Sequence, residues 1–311
     1  MQPATLIYNP SSGSADKHTP ERLQKQFAEV GFELRHQPTE READLENALG
    51  GAEGLIVVAG GDGTVRGVIT RLLESRTDPP DLCILPLGTA NNIASSLELT
   101  KDVDALISGL ARPRKCGFDV GRLEAPWGTE LFLEGAGLGL YADMLAHYDP
   151  DEGKSVLRAI GTVTNVLFGY DPRSVSFQVD SGKLKGKLVA LELMNTRAIG
   201  PRLRLAPDAT PYDGLFDVVA VYEPEEVTLL DYARTLFKND FNDLGNVQLW
   251  RTAALEIDWQ GEPFHTDAEV RPPNAEDQLD EVKGEALPTS GTIKLSNLAH
   301  AVTLWLPEAA S

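Results

Sequence analysis

An apolar run that ends in glycines and continues as an amphipathic stretch leaves a chain few ways to fold. Here Leu55-Ile56-Val57-Val58-Ala59 runs into Gly60-Gly61-Asp62-Gly63-Thr64, after which Val65, Ile69, Leu72 and Leu73 share one helical face. The pattern predicts a buried strand over Gly54–Ala59, a tight turn and a helix. Glycine removes Cβ and permits positive φ, so the backbone can approach another backbone or a ligand closely. N–H groups at the helix start point to the same place and favour an anion such as phosphate. In open parallel sheets that place, outside the carboxyl ends of the strands, is where ligands bind. A tight turn that holds no ligand satisfies the same residues, so this segment alone leaves both readings open. Two better-known phosphate motifs are excluded. A P-loop needs Lys followed by Ser or Thr after its second glycine, and Gly61-x-Gly63-x-x-x-Gly67 is one residue too long for a dinucleotide fingerprint. The acid expected at the end of the next strand is also missing, because Leu85-Pro86-Leu87 stands there.

The pattern recurs. Ala4–Tyr8 reads as a buried strand leading into Asn9-Pro10-Ser11-Ser12-Gly13, and Leu82–Leu85 leads into Pro86-Leu87-Gly88-Thr89-Ala90-Asn91-Asn92. Helices are expected over Pro20–Val30, Glu42–Leu49 and from Asn91 to Leu97, with a further strand at Glu33–His36. Strand, loop and helix repeated in this way imply crossovers and a mostly parallel sheet. Three small polar turns would then line one edge of that sheet, with Asp62 as the only acid among them.

After about residue 116 the grammar changes. Phe118–Leu123, Glu130–Glu134, Val175–Val179, Leu188–Met194, Leu215–Tyr222, Leu255–Trp259, Thr292–Leu295 and Val302–Leu306 are strand-like. Helical stretches interrupt them near Tyr141–Ala146 with Val156–Leu167 and near Pro224–Lys238, and the charged segment Arg271–Leu287 reads as a solvated loop. The 311 residues therefore divide into an α/β domain over residues 1–120, with a mostly parallel sheet, and a β-rich domain over 121–311. With 42% apolar and 24% charged residues, the chain buries a core rather than staying disordered. Its net charge of −19 argues against nucleic acid as a partner and against more than transient contact with an anionic membrane. Two cysteines, Cys83 and Cys116, exclude a disulfide framework and a cysteine-ligated zinc site. No signal-peptide pattern and no apolar stretch of ~18 residues occurs, so a soluble, cytoplasmic protein is expected. Nothing in the pattern specifies an oligomeric state.

Taken together, Asn9-Pro10-x-x-Gly13, Gly60-Gly61-Asp62-Gly63-Thr64 and Pro86-Leu87-Gly88-Thr89-Ala90-Asn91 resemble the diacylglycerol kinase catalytic-domain family. The likeness is to its bacterial lipid-kinase branch, which is related to sphingosine kinases and more distantly to NAD kinases. Gly135-Ala136-Gly137-Leu138-Gly139 is similar to the family's glycine segment opening its second domain. Ala206-Pro207-x-Ala209 with Asp213-Gly214-Leu215-Phe216-Asp217 is similar to the segment before one of its later strands. The resemblance covers nearly the whole chain in the right order. It implies a nucleotide-binding α/β domain, a sandwich-like second domain, an active site in the interdomain cleft, and final residues that pack back on the first domain.

The resemblance also implies roles. The expected activity is ATP- and magnesium-dependent transfer of a phosphoryl group to a lipid hydroxyl, diacylglycerol-like or sphingoid-like, within phospholipid metabolism. Positioning and charge neutralisation dominate such transfers. Gly60, Gly61, Asp62, Gly63, Thr64 and Gly88 would form the nucleotide turns, with contacts from Asn9, Thr89 and Asn91. Asp62 would orient a magnesium ion, Asp267 would act as general base, and Glu269 would support the base or the metal. The family's Asp-Gly-Glu motif is best matched by Asp267-Ala268-Glu269, while Gln260-Gly261-Glu262 competes by keeping the glycine and losing the aspartate. Asp213 and the Leu215 carbonyl would hold a second, structural magnesium. The residues read equally well as a turn entering the strand Leu215–Tyr222. Asn92 stands where many diacylglycerol kinases carry Asp. Two alternatives stay open: a kinase of a soluble hydroxyl substrate, as NAD kinases are, and a nucleotide-binding module without kinase activity.

Overall fold

Strands that are apolar along their whole length need cover on both faces, and helices supply it in a parallel sheet. In the computed structural model, β1 (Gln2–Tyr8), β2 (Phe32–Pro38), β3 (Leu55–Gly60) and β4 (Leu82–Pro86) pair in parallel. Leu304 of the long strand β15 (Gly291–Pro307) pairs in parallel with Leu82, so the order is β15-β4-β3-β1-β2. Every residue of β3 and β4 is buried. Residues 1–39, 44–147, 170–180, 182–200, 202–223, 245–272 and 288–308 are described. The expected helices over Val156–Leu167 and Pro224–Lys238, and residues 273–287 of the charged segment, lie outside them.

By contact the chain divides into two units. The first comprises Met1–Val120, Pro211–Asp213 and Leu298–Ser311. Its helices are α1 (Pro20–Glu29), α2 (Asp44–Gly50), α3 (Asp62–Ser75), α4 (Asn92–Ser96) and α5 (Val103–Gly109). Thr19 caps α1 by accepting from the Arg22 N–H, with proline at the first helical position. Asp102 caps α5 through the Ala105 N–H, and α5 is a helix the apolar pattern alone did not predict. Leu6, Leu23, Phe27, Val57, Cys83, Leu85, Leu106 and Ile107 pack in one core cluster. Because β1 sends one crossover outward to β2 and the chain then returns to β3 on its other side, the strand order reverses between β1 and β3. That is the topological switch point, where the crevice outside the carboxyl ends opens.

The second unit comprises Gly121–Thr210 and Gly214–Asn297. β5 (Pro113–Ala125) continues into it and forms a hairpin with β6 (Gly128–Phe132). β7 (Gly135–Gly139) precedes α6 (Leu140–Ala146). β8 (Arg173–Val179), β9 (Gly182–Met194), β10 (Phe216–Tyr222), β11 (Val247–Thr252), β12 (Ala254–Trp259), β13 (Phe264–Thr266) and β14 (Glu269–Arg271) follow. Neighbouring strands run antiparallel in the order β14-β13-β7-β9-β8-β12-β15, and β10 lies between β9 and β11. Phe132, Leu138, Phe177, Leu191, Phe216, Trp259, Phe264 and Ile293 form its core.

Three expectations change. Thr292–Leu295 and Val302–Leu306 belong to one strand, β15, which pairs antiparallel with β12 at Ala254–Trp259 and parallel with β4 further on. The glycine segment Gly135–Gly139 is a fully buried strand despite its low strand propensity, because β9 and β13 pair with its two edges. Asp267-Ala268-Glu269, placed in no strand from the sequence, lies in the β13–β14 hairpin.

Candidate functional site

The three polar turns of the first unit meet at the carboxyl ends of β1, β3 and β4. Asn9 Nδ2 donates to Thr64 Oγ1 at 3.0 Å, and the Asn9 N–H bonds the Ala59 carbonyl at 3.0 Å. The Leu87 N–H donates to the Gly60 carbonyl at 2.9 Å, and the Ser14 N–H to the Leu87 carbonyl at 3.0 Å. Asn91 sits in the left-handed region at φ 53, and its Nδ2 donates to the Pro86 and Gly88 carbonyls, closing its own turn. Thr89 is exposed, with its hydroxyl against Gly13. Asn9, Gly60–Thr64, Gly88, Thr89 and Asn91 are thus brought together beside the switch point.

For two of the glycines the structure shows the close approach of backbone to backbone that the sequence allowed. Gly61 lacks a Cβ because Gly88 Cα would lie 3.2 Å from it, and a Cβ on Gly88 would lie 2.5 Å from Gly61 Cα. A Cβ on Gly60 would meet the Thr64 side chain at 2.5 Å. Turn packs on turn through bare backbone. Gly63, exposed at the start of α3 with open space around its Cα, is the glycine of this turn not required by packing.

Asp62 ties the same turns together. Its Oδ2 accepts the Asn92 N–H and its Oδ1 the Ile93 N–H, each at 3.0 Å. These donors are the first N–H groups of α4, so the carboxylate caps that helix from another turn. Burial pushes the Asp62 carboxyl up, and the N–H bonds from residues 91–93 oppose that shift. Asn92 is buried at 2% exposure beside it, where a second carboxylate would add a like charge.

In the second unit, Asp267 and Ala268 occupy the two central positions of the β13–β14 turn, with φ 47 and 67. Two consecutive residues at positive φ make a type I′ hairpin turn, which favours Asp-Gly. Ala268 therefore takes a conformation that suits glycine, at the cost of a Cβ in the left-handed region. Asp267 is held there by a backbone cradle. Its Oδ1 accepts from the N–H groups of Glu134 at 2.7 Å and Gly135 at 3.1 Å, and its Oδ2 from Leu133 at 2.8 Å. Its own N–H donates to the Gly135 carbonyl at 2.9 Å. Glu269, exposed, pairs with Arg271 Nη2 at 3.0 Å, and Arg271 Nε bonds Glu130 at 2.8 Å. No sequence signal connects the cradle or Glu130 to this turn, because their partners lie far apart along the chain.

The competing motif is a turn of its own. Glu262 is buried, its Oε2 accepts the Gln260 N–H at 2.9 Å, and its carbonyl accepts from the Trp259 indole at 2.7 Å. Asp213 is exposed and Gly214 follows at φ 77, entering β10. Among the described residues no group of three or more His, Cys, Asp or Glu side chains is placed to hold a metal. Both Asp62 oxygens are engaged by backbone N–H groups. The side chains of the described residues therefore do not make a protein-only magnesium cage.

The diacylglycerol kinase catalytic domain family matches residues 3–123, and the YegS C-terminal NAD kinase beta sandwich-like domain matches residues 154–289. A diacylglycerol kinase of Bacillus subtilis (strain 168) is 31% identical over 239 residues, 70% of this chain and 73% of that one. A structure of a diacylglycerol kinase from Bacillus anthracis str. Sterne superposes with a TM-score of 0.67 at 16% identity, over 100% of this chain and 98% of that one. An NAD kinase from Archaeoglobus fulgidus in complex with ATP shares the fold with a TM-score of 0.51 at 12% identity, over 99% and 94% of the two chains. With its polar turns, its acid hairpin and these matches along most of its length, the chain belongs to the diacylglycerol kinase catalytic-domain family.

Proposed function

We propose that the protein is an ATP-dependent kinase that transfers the γ-phosphoryl group to a hydroxyl of a diacylglycerol-like or sphingoid-like lipid. The observation that carries the reading is the convergence of three polar turns at the switch between β1 and β3, in a chain of this family. The backbone of Gly61–Thr64 at the start of α3 receives the nucleotide phosphates, where helix N–H groups and dipole favour negative charge. Gly63 has open space for that approach. Thr64, oriented by Asn9, and the exposed Thr89 hydroxyl add side-chain contacts, while Gly60, Gly88 and Asn91 shape the turns. Asp267 takes the proton of the acceptor hydroxyl. We assign this to Oδ2, which accepts one of the three cradle bonds where Oδ1 accepts two. Glu269, held by Arg271, supports the charge around the base.

Magnesium, in this reading, comes bound to the nucleotide, since it keeps several waters and uses few protein carboxylates. Asp213 and the Leu215 carbonyl are the proposed ligands of a structural ion. No step depends on either. The net charge of −19 suits a cytoplasmic enzyme that touches a membrane transiently, and no helix among the described residues is long and apolar enough to cross one.

The test is ATP turnover with Mg²⁺ against dispersed diacylglycerol, a sphingoid base and soluble alcohols including NAD, with Asp267→Asn and Glu262→Gln beside the parent. Lipid phosphorylation that falls ~10²-fold in Asp267→Asn and a few-fold at most in Glu262→Gln is expected. Turnover confined to a soluble alcohol would replace the lipid with that acceptor. Parent turnover no greater than that of Asp267→Asn on every acceptor would leave a nucleotide-binding module.

A further inference from the structure

Behind the acid hairpin, one row of residues crosses three strands. His265 of β13 stands opposite Gly137 of β7, and Gly137 stands opposite Glu192 of β9. On a sheet the outer members of such a row are separated by the side chain of the middle one. Here the middle residue has none, and a Cβ on Gly137 would fall on Glu192 Oε2. The two long side chains reach across it, and His265 Nε2 meets Glu192 Oε2 at 2.7 Å. With a carboxylate as partner, the imidazole N–H donates. The Tyr141 ring stands nearly perpendicular to the imidazole at 4.9 Å between centroids.

This pair is an odd thing to bury. The side chains are 0% and 2% exposed, and among the described residues neither His265 Nδ1 nor Glu192 Oε1 has a hydrogen-bond partner. A buried polar pair of this kind is commonly no more stable than two apolar residues of the same volume. Stability alone does not explain it; its geometry does. β13 is a three-residue strand, and it carries Asp267 at its end. Its ladder to β7 consists of Phe264, His265 and Thr266, and the Asp267 N–H bond to the Gly135 carbonyl extends it by one residue. The His265–Glu192 bond ties its central residue past β7 to the long strand β9.

We propose that Glu192 and His265 are positioning residues, a cross-strand tether over Gly137 that holds the β13–β14 hairpin in place and sets the Asp267 carboxylate in its cradle. The consequence for turnover rests on the reading of Asp267 as the base; the consequence for the cradle does not. The double variant Glu192→Leu/His265→Phe removes both polar groups at nearly constant volume, so it keeps a packed core while cutting the tether. His265→Gln is the conservative control, since its amide nitrogen falls near the position of the imidazole Nε2. His265→Asn is too short to reach it.

The first measurement is amide hydrogen exchange over Leu133–Gly135, whose N–H groups the Asp267 carboxylate accepts. The second is steady-state kinetics on the best acceptor. The tether predicts exchange there ~10-fold or more faster in the double variant and in His265→Asn, with parent-like exchange in His265→Gln. It also predicts a kcat lowered ~10- to 100-fold in the same two variants, with KM for ATP unchanged and kcat retained in His265→Gln. A folded double variant with parent-like exchange at Leu133–Gly135 would overturn the proposal. If the double variant does not fold, equal exchange in His265→Asn and His265→Gln would overturn it in the same way. Altered exchange with no turnover in the parent would keep the tether and reject the kinase reading instead.

Discussion

Gly88→Ala is the sharpest probe of the turn-on-turn packing. The new Cβ would lie 2.5 Å from Gly61 Cα and 2.8 Å from Asn91 Oδ1, whereas carbon atoms in ordinary contact are about 3.5–4.0 Å apart. The turns must therefore part by about 1 Å. One obstacle is backbone, and the other is a side chain already fixed by bonds to the Pro86 and Gly88 carbonyls, so neither yields easily. Overpacking of this kind costs about 1–3 kcal/mol. Gly63→Ala is the matched control from the same motif. It has nothing within 4 Å of its Cβ, and Ala in place of Gly inside a helix is favoured by up to about 1 kcal/mol. Urea unfolding should thus separate the two variants by about 1–4 kcal/mol, with Gly88→Ala below the parent and Gly63→Ala at or above it. Thermal unfolding should follow at about 2–4 °C per kcal/mol. Equal stabilities for the two variants would refute the argument, because the Gly61 backbone and the Asn91 side chain facing Gly88 require Gly88→Ala to be the less stable.

Asp62→Ala removes the cap that joins the β3 turn to α4, and a lost cap costs about 0.5–2 kcal/mol, measurable as a lower urea midpoint. An unchanged midpoint would show that the bonds to Asn92 and Ile93 contribute nothing to the fold. Burial pushes the Cys83 thiol up to about 12, so a thiolate-specific reagent at pH 8 should label Cys83 only after denaturation, and labelling of native Cys83 would contradict its place in the core. The same shift makes a pH-dependent contribution. The folded chain holds the Cys83 proton more tightly than the unfolded one, so this contribution is full below the ordinary value of 9.0 and is lost as pH rises toward 12.

Much of the first unit was legible along the chain. The unbroken apolar runs of β1, β3 and β4 need cover on both faces, and this requires a parallel sheet with helical crossovers whatever lies elsewhere. The same runs end in the polar turns, so the convergence of Asn9, Gly60–Thr64 and Gly88–Asn91 follows from local order plus one rule of sheet topology. The helix α5 has a signal too, in Asp102 as its cap, but its seven residues are too few for the apolar pattern to repeat.

What only the tertiary structure decided lies where partners are distant in sequence. Gly61 and Gly88 are glycines because they face each other, which neither turn reveals by itself. Gly137 is a glycine because the Leu191 carbonyl and the Glu192 carboxylate both crowd the place of a Cβ, and a glycine-rich segment became a strand because two neighbours pair with its edges. Asp267 is an acid in a strained turn, and its carboxylate rests on the N–H groups of Leu133, Glu134 and Gly135. Local propensity is set by residues within a few positions of one another, and those effects can be read along the chain. Register, close backbone approach and buried polar pairs arise only when separate strands are laid side by side, which no stretch of sequence does alone.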